Sequence, residues 1–421
     1  MKQLVVIGNS AAGISAVEAI RKVDKTSKII VISDEDYPSY YRCLISYYLA
    51  GQVREEKLLY RSESFYKENN IELRLNRKVM RVEPKRNRII LEDKSQLSYD
   101  SLLIATGASP KFPHLAGIKK RNVFGFRTIK DVKEIEKILP VAKNACILGG
   151  GLIGLKAAYA LKKRNIEVKL IVKSKQVLSQ MLDYKAAGFV QKKIEENGIE
   201  LIFGQDAVEI IGDGELKAIK LDSGKVIGCS LVIVAKGVSP NTDLVKDTPI
   251  NVREGIIANE FLQTNIPNIY TAGDVCEGFD LVLNAPSVNA LWPIAVEQGR
   301  VAGQNMTGQG LKYQGSLGMN SLEFFGLAVV SLGIFKIKED DPNFEEIKFL
   351  DEKQNIYKKL ILKDNYLVGA VLVGDIRNSG VFLRLIRERI NISSLKDKLL
   401  NENFGYPEIM DLVNQKENLY V

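Results

Sequence analysis

Two glycine-rich turns of one kind recur in this 421-residue chain, Gly8-Asn9-Ser10-Ala11-Ala12-Gly13 and Gly149-Gly150-Gly151-Leu152-Ile153-Gly154. The chemistry such turns suit is the binding of a pyrophosphate. The first glycine makes the turn, the middle one admits the phosphate backbone, and the last lets helix and strand approach. The helix that follows presents free N–H groups and positive partial charge. Each turn lies between an apolar run, Leu4-Val5-Val6-Ile7 or Ala145-Cys146-Ile147-Leu148, and a helical stretch, Ile14 to Ile20 or Leu155 to Leu161. A lone motif of this type is weak evidence, but two in matched strand–turn–helix context point to two bound dinucleotides.

The elements that must position these turns also repeat. The first unit runs through the loop Ser33 to Arg42, a helix near Cys43 to Ala50, and hairpin-like strands at Glu72 to Leu75, Val79 to Val82 and Arg88 to Leu91. It closes on the apolar run Ser101 to Ile104, which ends in Ala105-Thr106-Gly107. Pro110, Pro113 and Gly117 mark a crossing to a second unit. That unit opens with a helix over Ile129 to Leu139, contains the second turn, and ends on Leu231 to Ala235 followed by Lys236-Gly237, an echo of the first ending. The repeat is therefore of whole units. Asn268 to Val275 and a helix from about Asn289 to Gly308 follow. A third region has strand-like runs at Ala328 to Leu332, Glu346 to Phe349, Tyr357 to Leu362 and Leu367 to Val373, with a helix near Val381 to Arg389.

Composition bounds the function classes. The length allows two or three domains, and 46% hydrophobic with 26% charged residues is ordinary for a soluble globular chain. No apolar run reaches membrane-spanning length, and Met1-Lys2-Gln3 leads straight into the first strand, so the expected location is cytoplasmic with no membrane association. Cys43, Cys146, Cys229 and Cys276 are scattered without a CxxC pair, and His114 is the single histidine, so no metal site is expected. The formal charge of +8 is spread along the chain, with small knots at Lys85 to Arg88 and Lys119 to Arg121 that read as solvated turns. Aromatic and basic residues do not interleave, which argues against nucleic acid. A basic surface favours an acidic protein partner or an anionic dinucleotide.

Five elements in order now carry a resemblance: the first Gly turn, Ala105-Thr106-Gly107, the second Gly turn, Gly237-Val238-Ser239-Pro240-Asn241, and Tyr270-Thr271-Ala272-Gly273-Asp274. Over essentially its full length the chain resembles the flavin-dependent pyridine nucleotide-disulfide oxidoreductase superfamily. Within it, the likeness is to the group spanning rubredoxin reductases, the flavin part of the nitrite reductase large subunit, coenzyme A-disulfide reductases and NADH oxidases. The resemblance implies an α/β fold with two Rossmann-like dinucleotide-binding domains and a C-terminal α+β domain that makes homodimers. The expected segments are 1–112 and 242–312 for FAD, 113–241 for NAD(P) and 313–421 for the interface. The implied FAD contacts are Gly8, Ser10, Ala11, Ala12, Gly13, Gly273 and Asp274, and Arg42, Val79, Ala105, Thr106, Gly107 and Gly237 are further expected cofactor-binding residues. Asp274 could accept hydrogen bonds from the ribityl hydroxyls or simply cap a helix. Trp292 and Pro293 would wall the flavin, although Trp292 reads equally as core. The helix they open would aim its positive end at the flavin. NAD(P)H falls to Gly149, Gly151, Leu152, Ile153 and Gly154.

Departures from the family pattern matter as much. Ser10 replaces the middle glycine of the first turn. Ser33 stands where a ribose-binding Glu is usual, which leaves Asp34, with Glu35 beside it, as the candidate acid. In the second unit that acid is missing, and Val172 leads into Lys173-Ser174-Lys175. These cations remove the repulsion of a 2'-phosphate and make NADPH acceptable, unless they form only a solvated basic turn. Lys156 occupies a position where Glu commonly pairs with a basic residue beside the reactive flavin face, and Arg42 could be that basic residue. Either the two cations point apart or the site is unusually positive.

Cys43 stands where coenzyme A-disulfide reductases and NADH oxidases carry one redox cysteine. A thiolate at a helix N-terminus beside Arg42 would be stabilised and nucleophilic. The alternative is a small residue packed near FAD, favoured by two absences: Ala11 stands where related peroxidases have His, and the segment Asn401 to Val421 lacks their Tyr-Ala-Pro-Pro-Phe-Ser-like stretch. With no vicinal cysteine pair, a two-cysteine relay is excluded. The leading expectation is an FAD-dependent NAD(P)H oxidoreductase exchanging electrons with a small acidic carrier, a rubredoxin or ferredoxin, in either direction. The runner-up reduces coenzyme A disulfide, a persulfide or oxygen through Cys43, and a non-catalytic flavin-binding module is the third class.

Overall fold

A computed structural model describes residues 1–338 and 341–417, so the last four residues of the Asn401 to Val421 segment lie outside the described residues. The chain folds into two compact units. The first comprises Met1–Lys111, the short return Arg127–Glu134, and Gly237–Ser316. Its centre is a five-stranded sheet in the order Ile269–Thr271, Ser101–Ile104, Gln3–Ile7, Lys28–Ile32, Ile71–Arg74, every neighbouring pair parallel. Both faces are covered, which is why these strands read as unbroken apolar runs. Leu4 and Val6 face the helix Ala11–Val23, while Val5 and Ile7 face a small antiparallel sheet of Val79–Glu83, Arg88–Leu91 and Gln96–Ser98.

Two expectations in this unit are corrected. Residues 72–75 are not part of a hairpin: Ile71–Arg74 is the parallel edge strand beside Lys28–Ile32, because the helix Glu63–Glu68 precedes it and makes a crossover connection. Instead of one helix over 43–50, a single 3₁₀ turn at Arg42–Leu44 leads into the five-residue helix Ile45–Leu49. Neither piece has a side-chain N-cap, and Gly51 at φ +74° ends the run.

The helix Trp292–Met306 lies directly on Ala11–Val23. A Cβ on Gly299 would stand 2.1 Å from the Ala12 carbonyl oxygen, and one on Gly303 would stand 2.3 Å from that of Ala16. Only hydrogen at both positions permits this spacing. The first unit exchanges chain with the second through an antiparallel ribbon, Ala108–Pro110 against Val238–Pro240. Asn241 locks it, donating from Nδ2 to the Thr106 carbonyl at 2.9 Å and accepting at its own carbonyl from Thr106 Oγ1 at 2.8 Å.

The second unit repeats the plan and adds a C-terminal layer. Its parallel sheet runs Ile199–Phe203, Glu167–Val172, Asn144–Leu148, Leu231–Val234, Val123–Phe124, with the antiparallel strands Ala207–Ile211, Ala218–Leu221 and Val226–Gly228 packed on one face. The C-terminal region is a five-stranded antiparallel sheet in the order Met319–Phe324, Leu327–Gly333, Tyr366–Val373, Ile356–Lys363, Glu345–Asp351, with helices Ser379–Arg387 and Tyr406–Glu417. The first strand and the last helix were not expected. Lys359, only 3% exposed, ties this sheet to the helix Tyr184–Glu196 by meeting Asp183, the helix N-cap, at 2.8 Å, and Glu346 at 3.2 Å. No helix among the described residues is long and apolar enough to cross a membrane.

Gly299→Val forces the two helices apart and should cost about 1–3 kcal/mol of stability, read as a lower denaturation midpoint. Gly188→Ala, at a helix position with nothing within 4 Å of the added methyl, should raise stability by about 0.5–1 kcal/mol. Equal effects of the two would contradict the packing described here.

Candidate dinucleotide sites

At the first turn, Gly8 has φ +120° and a Cβ there would stand 2.0 Å from the Ala105 carbonyl oxygen, while one on Gly13 would stand 1.9 Å from that of Gly8. The strand end at Ala105 and the turn are thus pressed together backbone on backbone. Ser10 is the N-cap of Ala11–Val23 but makes no side-chain cap bond, and the first intrahelical bond is Ile14 N–H to the Ser10 carbonyl. The amides of Ala11, Ala12 and Gly13 are left without a cap, and Asn9 Nδ2 is a buried donor with no partner among the described residues. Free donors at an uncapped helix start are what a diphosphate needs.

Around this turn the structure gathers charges that the sequence scatters. Arg42 donates from Nε to Ser10 Oγ at 3.3 Å, from Nη1 to Tyr40 Oη at 3.1 Å and to the Arg127 carbonyl at 3.4 Å, and from Nη2 to Glu35. Burial pulls its pKa down, but Tyr40 and Glu35 outweigh that and leave it above its ordinary value. Tyr40 is the hub: its hydroxyl donates to Glu35 at 2.6 Å and accepts from Ile129 N–H at 3.1 Å, and burial pushes the phenol up. Glu35 is spent within this cluster, whereas Asp34 is exposed at the strand end. The expected acid is therefore available and its neighbour is structural.

Arg127 was missed by sequence reasoning. Its Nη2 donates to Asp274 Oδ2 at 2.5 Å and lies 4.0 Å from where a Gly107 Cβ would be. The readable signal was Thr128-Ile129-Lys130-Asp131, a capping box: Asp131 Oδ2 accepts from Arg127 N–H at 2.9 Å and Thr128 N–H at 2.8 Å, and Thr128 Oγ1 accepts from Asp131 N–H. Gly273, at φ +79°, donates its N–H to Gln298 Oε1 at 2.8 Å and sits against Ala12, which brings Asp274 to the first turn.

Other expected residues also make contacts within the fold. The Thr106 hydroxyl is taken by the Asn241 lock, Gly237 stands at the crossing ribbon, where its carbonyl accepts from Lys111 N–H, and the Val79 side chain is buried in the core. Trp292 joins a three-ring cluster with Tyr41, centroids 5.6 Å apart, and Tyr60, 5.1 Å. With Pro293 it opens the Trp292–Met306 helix, whose start also lacks a side-chain cap. Cys43 is exposed within the 3₁₀ turn, so the helix dipole assigned to it above is minimal. The other three cysteines are buried: burial pushes the Cys276 thiol up to about 12, and a hydrogen bond with Cys229 plus burial holds Cys146 far above the usual range.

The second turn repeats the steric logic. Gly149 has φ +122°, with 2.3 Å from its would-be Cβ to the Ala235 carbonyl oxygen, and Gly154 leaves 2.0 Å to that of Gly149. Gly151, the N-cap of Leu152–Lys163, has nothing within 4 Å, and the amides of Leu152, Ile153 and Gly154 precede the first intrahelical bond, Leu155 to Gly151. Val172 packs over Gly150 at 2.8 Å from its would-be Cβ. Lys173 and Lys175 are exposed with no carboxylate partner among the described residues, and Lys156 is half-buried on the helix. No group of metal-binding side chains occurs among the described residues.

A double-mutant cycle with Arg127→Leu and Asp274→Leu should return a coupling of about 1–3 kcal/mol, because either single change strands a half-buried charge. Additive losses would mean the pair does not hold this corner.

Residues 2–299 match the family described as pyridine nucleotide-disulphide oxidoreductase, and residues 319–390 match the rubredoxin NAD+ reductase C-terminal domain. The chain is 32% identical over 408 residues to the assimilatory nitrate reductase electron transfer subunit of Bacillus subtilis (strain 168), covering 96% of this chain and 52% of that protein. It thus spans about half the length of that relative. It is 30% identical over 443 residues to the NADH oxidase of Methanocaldococcus jannaschii, covering 99% and 97%. Among solved structures, an NAD-dependent persulfide reductase from A. fulgidus superposes with a TM-score of 0.88 at 25% identity, covering 99% of this chain and 83% of that one. The repeated turns, their order and these matches agree: the chain belongs to the pyridine nucleotide-disulphide oxidoreductase family.

Proposed function

We propose that this chain is an FAD-dependent NAD(P)H oxidoreductase that passes electrons to a small acidic electron-transfer protein of the rubredoxin or ferredoxin type, reversibly. The observation that carries it is the pair of glycine turns, each closed to side chains at its first and last glycine and each opening an uncapped helix. The assignment of segments follows: 1–112 and 242–312 hold FAD, 113–241 holds NAD(P)H, and 313–421 forms a homodimer interface. FAD, when bound, supplies the redox chemistry by accepting hydride from NAD(P)H. The protein's share is binding and orientation. The amides of Ala11 to Gly13, with Arg42 and Arg127, neutralise the pyrophosphate, Asp34 holds ribose hydroxyls, and Asp274, held in place by Arg127, accepts from a polyol hydroxyl. Gly151 admits the second pyrophosphate to the amides of Leu152 and Ile153. Lys173 and Lys175 receive a 2'-phosphate, so NADPH is used. Partner choice is supported by the net charge of +8, by the rubredoxin NAD+ reductase C-terminal match and by the electron-transfer relative. The protein works in the cytoplasm.

One observation favours a second reading. Cys43 is the exposed cysteine while the other three are buried, and a thiol-dependent persulfide, coenzyme A-disulfide or oxygen reductase would use it.

Anaerobic titration with NADPH should deliver two electrons per flavin, and Cys43→Ser should keep most turnover with rubredoxin as acceptor. Uptake beyond two electrons, with loss of turnover in Cys43→Ser, moves the assignment to the thiol. Lys173→Glu with Lys175→Glu should lower kcat/KM for NADPH about tenfold or more while sparing NADH. A parent protein that strongly prefers NADH contradicts the 2'-phosphate reading.

A further inference from the structure

The second unit carries a half-open hollow of about 500 Å³ that neither glycine turn lines. One wall is the C-terminal half of the helix Tyr184–Glu196, and the other is formed by turns and strand ends of the C-terminal sheet. Its carboxylates are already neutralised. Glu196 meets Lys193 at 3.2 Å, and Asp375 accepts from Arg377 at 2.8 and 2.9 Å and from Lys358 at 2.7 Å, which holds it well below the usual carboxylate range. Lys192, by contrast, makes no ion pair within 4.0 Å among the described residues, and Glu352 interacts with it only from beyond that distance. Three lining cations, Lys192, Lys193 and Arg377, therefore face two lining carboxylates, Glu196 and Asp375, and the remaining demand is for an anion.

Charge is not the whole of it. Phe189 lines the hollow half-buried and without a ring partner among the described residues, and the carboxamides of Gln354 and Asn355 are exposed at its rim with no protein hydrogen-bond partner among them. A flat face beside two amide donor–acceptor groups suits a heterocyclic base, and the volume falls within the range of small-molecule sites, roughly 300–1,000 Å³. A bare inorganic anion would leave the ring and both amides unused.

We propose that this hollow is a binding site for a nucleoside monophosphate, with the phosphate at Lys192 and the outer N–H groups of Arg377 and the base against Phe189 between Gln354 and Asn355. It is separate from the nicotinamide nucleotide site and shares no residue with it. The test is calorimetric titration of AMP into the full-length, FAD-loaded protein with NAD+ held at saturation, so that the dinucleotide sites are filled. Saturable AMP binding is expected, and Lys192→Glu and Phe189→Ala should each weaken it about tenfold or more. Flavin content and NAD(P)H turnover, read on the same samples, should be unchanged in both variants. Absence of AMP binding, or binding equal in parent and Lys192→Glu, overturns the site. Inorganic phosphate binding as tightly as AMP overturns the nucleotide assignment. A failure of the redox reading shows separately, as absent flavin or absent turnover in the parent.

Discussion

The approach of backbone to backbone behind each glycine turn is the constraint on which the rest depends. At Gly8 and Gly149 the carbonyl of a neighbouring parallel strand, at Ala105 or Ala235, occupies the space a side chain would need, and at Gly13 and Gly154 the carbonyl of the first glycine does the same. The strand end, the turn and the helix start are thereby compressed into one rigid corner, with helix amides aimed outwards and no side chain to cap them. Any residue larger than glycine at these four positions would separate helix from sheet before it changed any binding energy. Both the fold and the site are therefore written in the same contacts.

Around the first corner, electrostatics completes what sterics begins. Arg42, Glu35 and Tyr40 satisfy one another within one loop, and Arg127 and Asp274 do likewise across 147 residues of chain, so that charges half removed from water are held in place. Ser10, standing where a third glycine is usual, is not merely tolerated: its hydroxyl gives Arg42 an acceptor at the turn itself. Arg42 is thus anchored at the first turn by residues of its own unit. At the second corner the corresponding positions carry exposed lysines without carboxylate partners, which leaves that turn more open to added negative charge.

Much of this was legible from residues alone because it depends on local chemistry. Positive φ and the lack of a Cβ belong to glycine alone, and unbroken apolar runs of four or five residues declare strands buried on both faces. The two turns, the strand ends at Ala105 and Ala235, and the repetition of whole units follow from those facts. The short element after Cys43 was misread because a helical pattern of apolar residues says nothing about a missing cap, and Ile71–Arg74 because a strand's partner is set by the crossover before it.

The amino-acid sequence by itself determined the number, order and kind of the glycine turns, since each is specified by neighbours within a few residues. Only the tertiary structure decided which charges serve those turns. Arg127 reaches Asp274, Arg42 takes Glu35 away from any ribose, and Thr106 spends its hydroxyl on Asn241, all pairings between residues far apart along the chain or on separate elements. An ion pair or side-chain lock is a matter of distance in space, and no periodicity or composition encodes that distance before the backbone has folded.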